Sequence, residues 1–264
     1  MKKQQLLKYN KEYQQFQQLL LEYELDIFTF KELVEIKAFR EFDVQQTLEV
    51  LVKSNFLKRI EKGKYCMFNF SDEYVIASKL VSDGVIAYWS ALNLHGLTEQ
   101  FSTTVFVQTT KLKRAKTVFG VPYQFVKILP RKKLGIITQG YGNHQYYVTD
   151  PEKTIVDCFD LPQYSGGWAE LMRAVGEGNF DQYKFIEYCK AVKNIAATKR
   201  LAFIIELLEL PNMVNFLSFA KTMIRQKYNV FDPFGKDEGS FDKRWKLRLN
   251  IPKKDILSIL EKTY

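Results

Sequence analysis

The stretch that decides the fold is DVQQTLEVLVKSNFLKRIEKGKYCMF, residues 43–68. Asp43 is a short acceptor side chain placed just ahead of a run with helical period, the pattern of an N-cap. Val44, Leu48, Leu51 and Val52 gather on one side at 100° per residue. Gln46, Glu49, Val50 and Lys53 take the opposite side, with Gln45 at the boundary. Two short runs rich in apolar residues follow, 57–61 and 65–68, around a Lys62-Gly63-Lys64 turn. That arrangement reads as a β-hairpin.

Working upstream, Leu6, Tyr9, Tyr13, Phe16, Leu20 and Tyr23 recur in steps of three and four, which marks one face of a long amphipathic helix. Residues 26–28 break the pattern. Thr29 with Glu32 three positions on has capping-box spacing, so a short second helix is expected with Phe30, Leu33 and Val34 inward. After a turn at 38–42 comes the Asp43 helix. Helix, helix, turn, helix, hairpin is the order of a winged helix-turn-helix, expected over residues 1–70.

That fold supplies a chemistry. A third helix with polar side chains outward fits a major groove about 12 Å wide. Gln45 and Gln46 can pair with adenine, Glu49 can accept from cytosine, and Lys53 extends the same face. Lys58, Arg59, Lys62 and Lys64 on the hairpin suit phosphates, which fix register without reading sequence. Winged helices also serve protein contacts. A net of only +2 over residues 1–70, with Glu49 and Glu61 in the motif, leaves that alternative open.

The whole chain of 264 residues carries +9, and the excess is concentrated. Residues 71–99 are net −3, whereas residues 100–149 hold 8 basic and no acidic residues. Two clusters make most of this second patch: Lys111, Lys113, Arg114 and Lys116, then Arg131, Lys132 and Lys133. A polyanion suits such a stretch, because each phosphate neutralised releases counterions. Lysines that protect sheet edges are the other reading.

Residues 71–264 are expected to form a second domain, with an α/β part (71–160) and a mainly helical part (161–264). Ser71 or Asp72 caps a helix to about 81. Asp83-Gly84 breaks it, a further helix carries Ile86, Trp89 and Leu92, and Gly96 closes that helix. Strand-like runs occupy 103–109, 123–129, 134–138 and 144–148. Asp150-Pro151-Glu152 is a helix start: a cap, a proline in the first turn and an acid at the positive dipole end. Helices are then expected over 171–175, 180–192, 195–210 and 214–224, a strand over 245–249, and a last helix from Pro252. The fold class is therefore α+β.

Enzyme chemistry finds little footing. Phosphate-loop, dinucleotide and nucleophile-elbow motifs are missing, and His95 and His144 lack partners at metal spacing. The cap accounts for Asp150 and Glu152 without catalysis. No catalytic residue, cofactor or metal is called for. Cys66, Cys158 and Cys189 lie far apart, which argues for a reducing compartment. With no apolar run near ~18 residues and no signal-like N-terminus, the expectation is a soluble cytoplasmic protein away from membranes.

The middle of the chain carries a resemblance. GVIAYWSALNLHGLTEQ at residues 84–100 and VTDPEKTIVD at 148–157 are similar to the two recurring segments of AbiEi-type antitoxins, predicted transcriptional regulators of viral defence systems. The similarity spans roughly residues 25–225. It implies a winged helix that represses the protein's own operon at inverted repeats in double-stranded DNA, and a C-terminal antitoxin domain. The implied functional partner is a nucleotidyltransferase toxin, opposed without a stable complex, as in type IV toxin–antitoxin and abortive-infection systems. No active-site residue carries over, and Trp89, His95 and Asp150 read as structural anchors. The long glutamine-rich first helix departs from the family, and either packs on the rest or mediates self-association. Two other classes remain: an antitoxin that binds its toxin directly, and an RNA-binding protein whose basic stretch meets tRNA.

Overall fold

Local capping chemistry sets the boundaries of the first elements. The computed structural model describes residues 2–261, with side chains from 11 to 259. Helix α1 (Lys2–Glu22) ends where Leu25 N–H reaches the Leu20 carbonyl (2.8 Å) and Glu24 N–H the Leu21 carbonyl (3.1 Å). Glu24 sits at φ +51°, the left-handed position that glycine commonly fills in this reverse turn. Leu6 and Tyr9 lie outside the described side chains. Phe16 and Leu20 are fully buried, and the Phe16 ring meets Phe39 at 5.0 Å and Phe42 at 5.3 Å. The glutamine-rich helix thus packs on its own chain.

Strand β1 (Ile27–Thr29) leads into helix α2 (Phe30–Glu35). The Thr29–Glu32 capping box is present in both directions, Glu32 N–H to Thr29 Oγ1 at 3.1 Å and Thr29 N–H to the Glu32 carboxylate at 2.7 Å. Phe30 departs from expectation and is exposed. A six-residue helix turns one narrow face inward, which Leu33 occupies, and Phe28 on β1 fills the aromatic place in the core. A 3-10 turn (Lys37–Glu41) carries buried Phe39 to helix α3 (Val44–Lys53), where the Asp43 side chain accepts from Gln46 N–H at 3.1 Å.

Strands β2 (Leu57–Glu61) and β3 (Lys64–Met67) pair antiparallel around Gly63 at φ +74°. β1 adds antiparallel to β3, giving the order β1-β3-β2. Helix α4 (Glu73–Leu80) follows, capped by Asp72. Phe28, Leu33, Val44, Leu48, Leu51 and Leu57 close the core of this part, each burial contributing about 1.5–3 kcal/mol before entropy.

The chain divides into two units. The first comprises residues 1–84 with segments 117–121 and 138–146, and the second holds the remainder. The boundary expected at residue 70 falls inside the first unit, ahead of α4.

Strand β4 (Val85–Ile86), helix α5 (Tyr88–Leu94) and strand β5 (Val105–Thr109) open the next stretch. Ile86, expected on a helix, is in a strand because its backbone lies between Val107 on β5 and Val148 of the strand below. Gly96, at φ +65°, ends α5 as the sequence suggested, Leu97 N–H reaching Leu92 carbonyl at 2.9 Å. Strands β6 (Lys116–Val118), β7 (Val121–Lys127), β8 (Ile136–Gln139) and β9 (Tyr146–Thr149) complete a mixed six-stranded sheet, ordered β6-β7-β5-β4-β9-β8. β4 runs antiparallel to β5 and parallel to β9, and β5 runs parallel to β7.

The helical part comprises α6 (Pro151–Asp160), α7 (Trp168–Glu177), α8 (Gln182–Val192), α9 (Ile195–Leu207) and α10 (Val214–Met223). Strands β10 (Asn229–Val230), β11 (Ser240–Asp242) and β12 (Leu247–Leu249) form a small sheet ordered β10-β12-β11, and α11 (Lys253–Glu261) ends the described chain. Helix α6 is central: Ile155, Val156 and Phe159 join Leu171, Phe185, Phe203 and Trp245 in one core. The chain is α+β. Among the described residues no helix is long and apolar enough to cross a membrane.

Candidate nucleic-acid interface

Helix α3 keeps its apolar side inward and a polar side outward. Val44, Leu48 and Leu51 are buried, while Gln45, Gln46, Glu49 and Lys53 are all exposed. The helix closes with Asn55 at φ +58° and Phe56 N–H on the Leu51 carbonyl at 3.0 Å, which turns the chain directly into β2. Gln46 has particular surroundings. It lines a cleft of about 260 Å³ with Glu12 and Gln15 of α1 and with Glu41 and Asp43. Three carboxylates near the N-terminal end of α3 make that end less welcoming to phosphate than Lys53 at the other.

The hairpin splits its basic residues between surface and fold. Lys62 and Arg59 are exposed, and the Arg59 guanidinium lies 5.6 Å from the Tyr65 ring. Lys64 is committed internally: its ammonium pairs with Glu61 at 2.6 Å and donates to the Leu80 carbonyl at 3.2 Å. A carboxylate three residues earlier, together with α4 lying against the sheet, removes Lys64 from the set expected to face phosphates. Lys58 stands over two exposed aromatic rings, Phe68 at 4.5 Å and Phe119 at 5.2 Å. Those rings were not among the residues singled out from sequence. Phe119 is about 60 positions away in the chain, and no local pattern links it to Lys58.

The two basic clusters of the second patch part company. Lys111 and Arg114 are exposed in the segment between β5 and β6, Lys113 and Lys116 are half-buried, and the Lys113 ammonium lies 5.4 Å from the Phe125 ring. Arg131 instead donates to the carbonyls of Ala191 and Val192, capping the C-terminus of α8, where a cation meets the negative dipole end. Lys132 pairs with Asp160, whose other oxygen accepts from Asn194 at 2.9 Å. Lys133 is half-buried beside them. The expected Arg131–Lys132 patch thus serves the helix ends of the second unit.

Charge totals follow the same division. The first unit holds 13 basic and 13 acidic residues and is net neutral, so the whole +9 belongs to the second.

The acidic helix start also has a structural use. Asp150 accepts from Lys153 N–H at 2.8 Å and from the Tyr188 hydroxyl at 2.7 Å, and pairs with Lys184 at 3.1 Å. Glu152 accepts from Asp181 N–H at 2.9 Å and from Lys184 at 3.2 Å. Burial pushes the Tyr188 phenol up, with the Asp150 hydrogen bond adding to it. Burial opposes the charge of Lys184, yet bonds to Asp150 and Glu152 hold its ammonium above the ordinary lysine range. Lys153 and Asp157 form a buried pair one turn further on. His95 caps α5 and its Nε2 lies 2.6 Å from the Thr149 carbonyl, while His144 meets Asp26 at 2.5 Å.

Nucleophile chemistry is not favoured by these environments. Burial pushes the Cys66 thiol up to about 11 and Cys189 up to about 12, and raises Cys158 well above the usual thiol range. Burial and the like charges of Arg200, Lys227 and Lys246 lower Lys199 to about 8, but its ammonium is buried and donates to the Lys227 carbonyl at 2.9 Å. Among the described residues no group of three or more His, Cys, Asp or Glu is placed to hold a metal.

No protein-family model matches the chain, and no curated protein matches it in sequence. In structure it is similar to the crystal structure of the RV2827C protein from Mycobacterium tuberculosis, with a TM-score of 0.66 over 94% of each chain at 12% identity. At that identity the likeness concerns the fold alone, and it extends over nearly the whole chain.

Proposed function

We propose that this chain is a double-stranded-DNA-binding transcriptional regulator whose first unit works as a winged helix-turn-helix. The observation that carries the reading is the outward polar side of α3, with Gln45, Gln46, Glu49 and Lys53 exposed next to a hairpin whose tip presents Lys62 and whose flank presents Arg59. In this reading α3 reads base edges and the hairpin holds phosphates. Gln45, Glu49 and Lys53 make the principal base-edge contacts, because Gln46 shares its cleft with three carboxylates. A net-neutral first unit lacks the electrostatic grip that duplex binding draws on, and in this reading the basic segment at 111–116, where Lys111 and Arg114 are exposed, contributes it.

The sequence resemblance to AbiEi-type antitoxins extends the proposal. The regulator represses its own operon, and its second unit opposes a nucleotidyltransferase toxin without a lasting complex. A footprint with the full chain on DNA upstream of its gene tests the first half: protected inverted repeats are expected, and protection no different from random duplex overturns it. Co-purification with the adjacent nucleotidyltransferase tests the second half. A stoichiometric complex would replace it with direct neutralisation.

A further inference from the structure

We propose that the outward face of the small sheet β10-β12-β11 is a binding platform for an unpaired stretch of RNA. Strand alternation sorts the side chains of this sheet into two sets. Leu247 and Leu249 of β12, with Trp245 just ahead of them, are buried in the core that the helices form. Arg248 lies between the two leucines and takes the opposite face, in register with Phe241 of β11. Its guanidinium stands 5.3 Å from the Phe241 ring, which is 57% exposed. The half-buried Tyr228, one residue ahead of β10, meets Phe241 edge to face at 4.9 Å, and the Lys246 ammonium lies 5.1 Å from the Tyr228 ring. Two rings and two cations therefore form one continuous surface.

The charge around it is one-sided. Residues 243–248 hold four basic residues and no acidic one. Arg244 pairs with Glu206 at 2.5 Å and Arg248 with the exposed Asp237 at 3.1 Å. Lys227, Lys243 and Lys246 pair with no carboxylate among the described residues. The lowering of Lys199 agrees with this excess, since after burial its causes are the charges of Arg200, Lys227 and Lys246. Uncompensated cations beside exposed rings suit a strand that offers phosphates and base faces together. Paired bases stack on one another and hide those faces. Unpaired RNA presents them, and aromatic rings and guanidinium planes are the surfaces on which they stack. All of these residues belong to the second unit, so this platform stands or falls apart from the proposed base reading by α3.

Anisotropy of a labelled oligouridylate of about 12 nucleotides, a length within the site sizes of single-strand binders, tests this with the full chain. Saturable binding is expected. Phe241→Leu keeps apolar bulk at an exposed position but removes the ring, and should weaken binding about fivefold to a hundredfold, the range for one lost base–aromatic stack. Phe241→Tyr keeps the ring and should bind like the parent. Lys246→Gln should lower the salt slope by about 0.7, the value for one phosphate contact on a single strand. Phe241→Leu should leave affinity for the upstream duplex unchanged, and Gln45→Ala with Lys53→Ala should leave oligouridylate binding unchanged. The proposal is overturned if oligouridylate does not saturate, or if Phe241→Leu binds it like the parent or loses the duplex equally. It is also overturned if Lys246→Gln keeps the full salt slope, if oligothymidylate DNA binds more tightly than the RNA, or if polyglutamate of equal charge competes as well as the RNA.

Discussion

Lys153→Met offers a quantitative test of the second unit. Lys153 and Asp157 pair on successive turns of α6 with side chains 0% and 2% exposed, and the second Asp157 oxygen has no partner. Removing the ammonium leaves a buried carboxylate uncompensated, which costs about 3–5 kcal/mol at neutral pH. The pH dependence has a definite sign. Burial already raises the Asp157 carboxyl, while the Lys153 charge and hydrogen bond pull it down. The variant loses both of the latter, so its folded carboxyl rises further. A folded group with a raised pKa holds its proton longer than the unfolded chain, and stability then falls as pH rises. The pH-dependent part of the deficit therefore opens where the parent's own folded Asp157 ionises, above the ordinary carboxylate range, and widens upward from there. Trp89, Trp168 and Trp245 all belong to the second unit, so tryptophan fluorescence in urea reports its unfolding specifically. Lys153→Met with Asp157→Leu, which removes both charges, should lie within about 1 kcal/mol of the parent or above it. A single variant within about 1 kcal/mol of the parent at pH 8 would refute the reasoning. So would a deficit that shrinks as pH rises.

Other consequences follow from individual contacts. Asp43→Ala removes the cap on α3 and should cost about 1 kcal/mol, read by far-ultraviolet circular dichroism in urea. Lys62→Ala should weaken duplex binding and lower the salt slope by about 1. Lys64→Ala, whose ammonium is held by Glu61 and Leu80, should lower stability and leave that slope unchanged. Charge reversal at Lys113 and Arg114 should reduce both duplex affinity and its salt dependence, and unchanged values would remove the 111–116 segment from the interface.

What could be read from sequence was what neighbouring residues decide. The Thr29–Glu32 box, the Asp43 and Asp150 caps and the Gly96 termination all depend on partners within five residues, and all are present. The hairpin at 57–67 was legible because its turn glycine and flanking runs are contiguous. β1, β4 and β10 were not, since two or three residues carry no period and their pairing partners are distant. Ile86 shows this, its strand being fixed by Val107 and Val148. The basic patch was over-read for the same reason. A tally along the chain cannot see that Arg131 caps α8 sixty residues on, or that Lys132 meets Asp160. Equally hidden were the rings of Phe68 and Phe119 beside Lys58, and the pairing of His144 with Asp26.

The central claim is that the first unit reads DNA through α3. Anisotropy of labelled duplexes with the full chain measures it most directly, comparing upstream DNA with a scrambled sequence for the parent and for Gln45→Ala with Lys53→Ala. The account predicts that the parent prefers its own DNA by more than about a thousandfold, the lower range for specific over non-specific binding. It also predicts that the α3 variant loses that preference, while its affinity for scrambled duplex falls only by the modest amount that one lost positive charge accounts for. Equal binding of both sequences by the parent, or an α3 variant that discriminates as well as the parent, would contradict it.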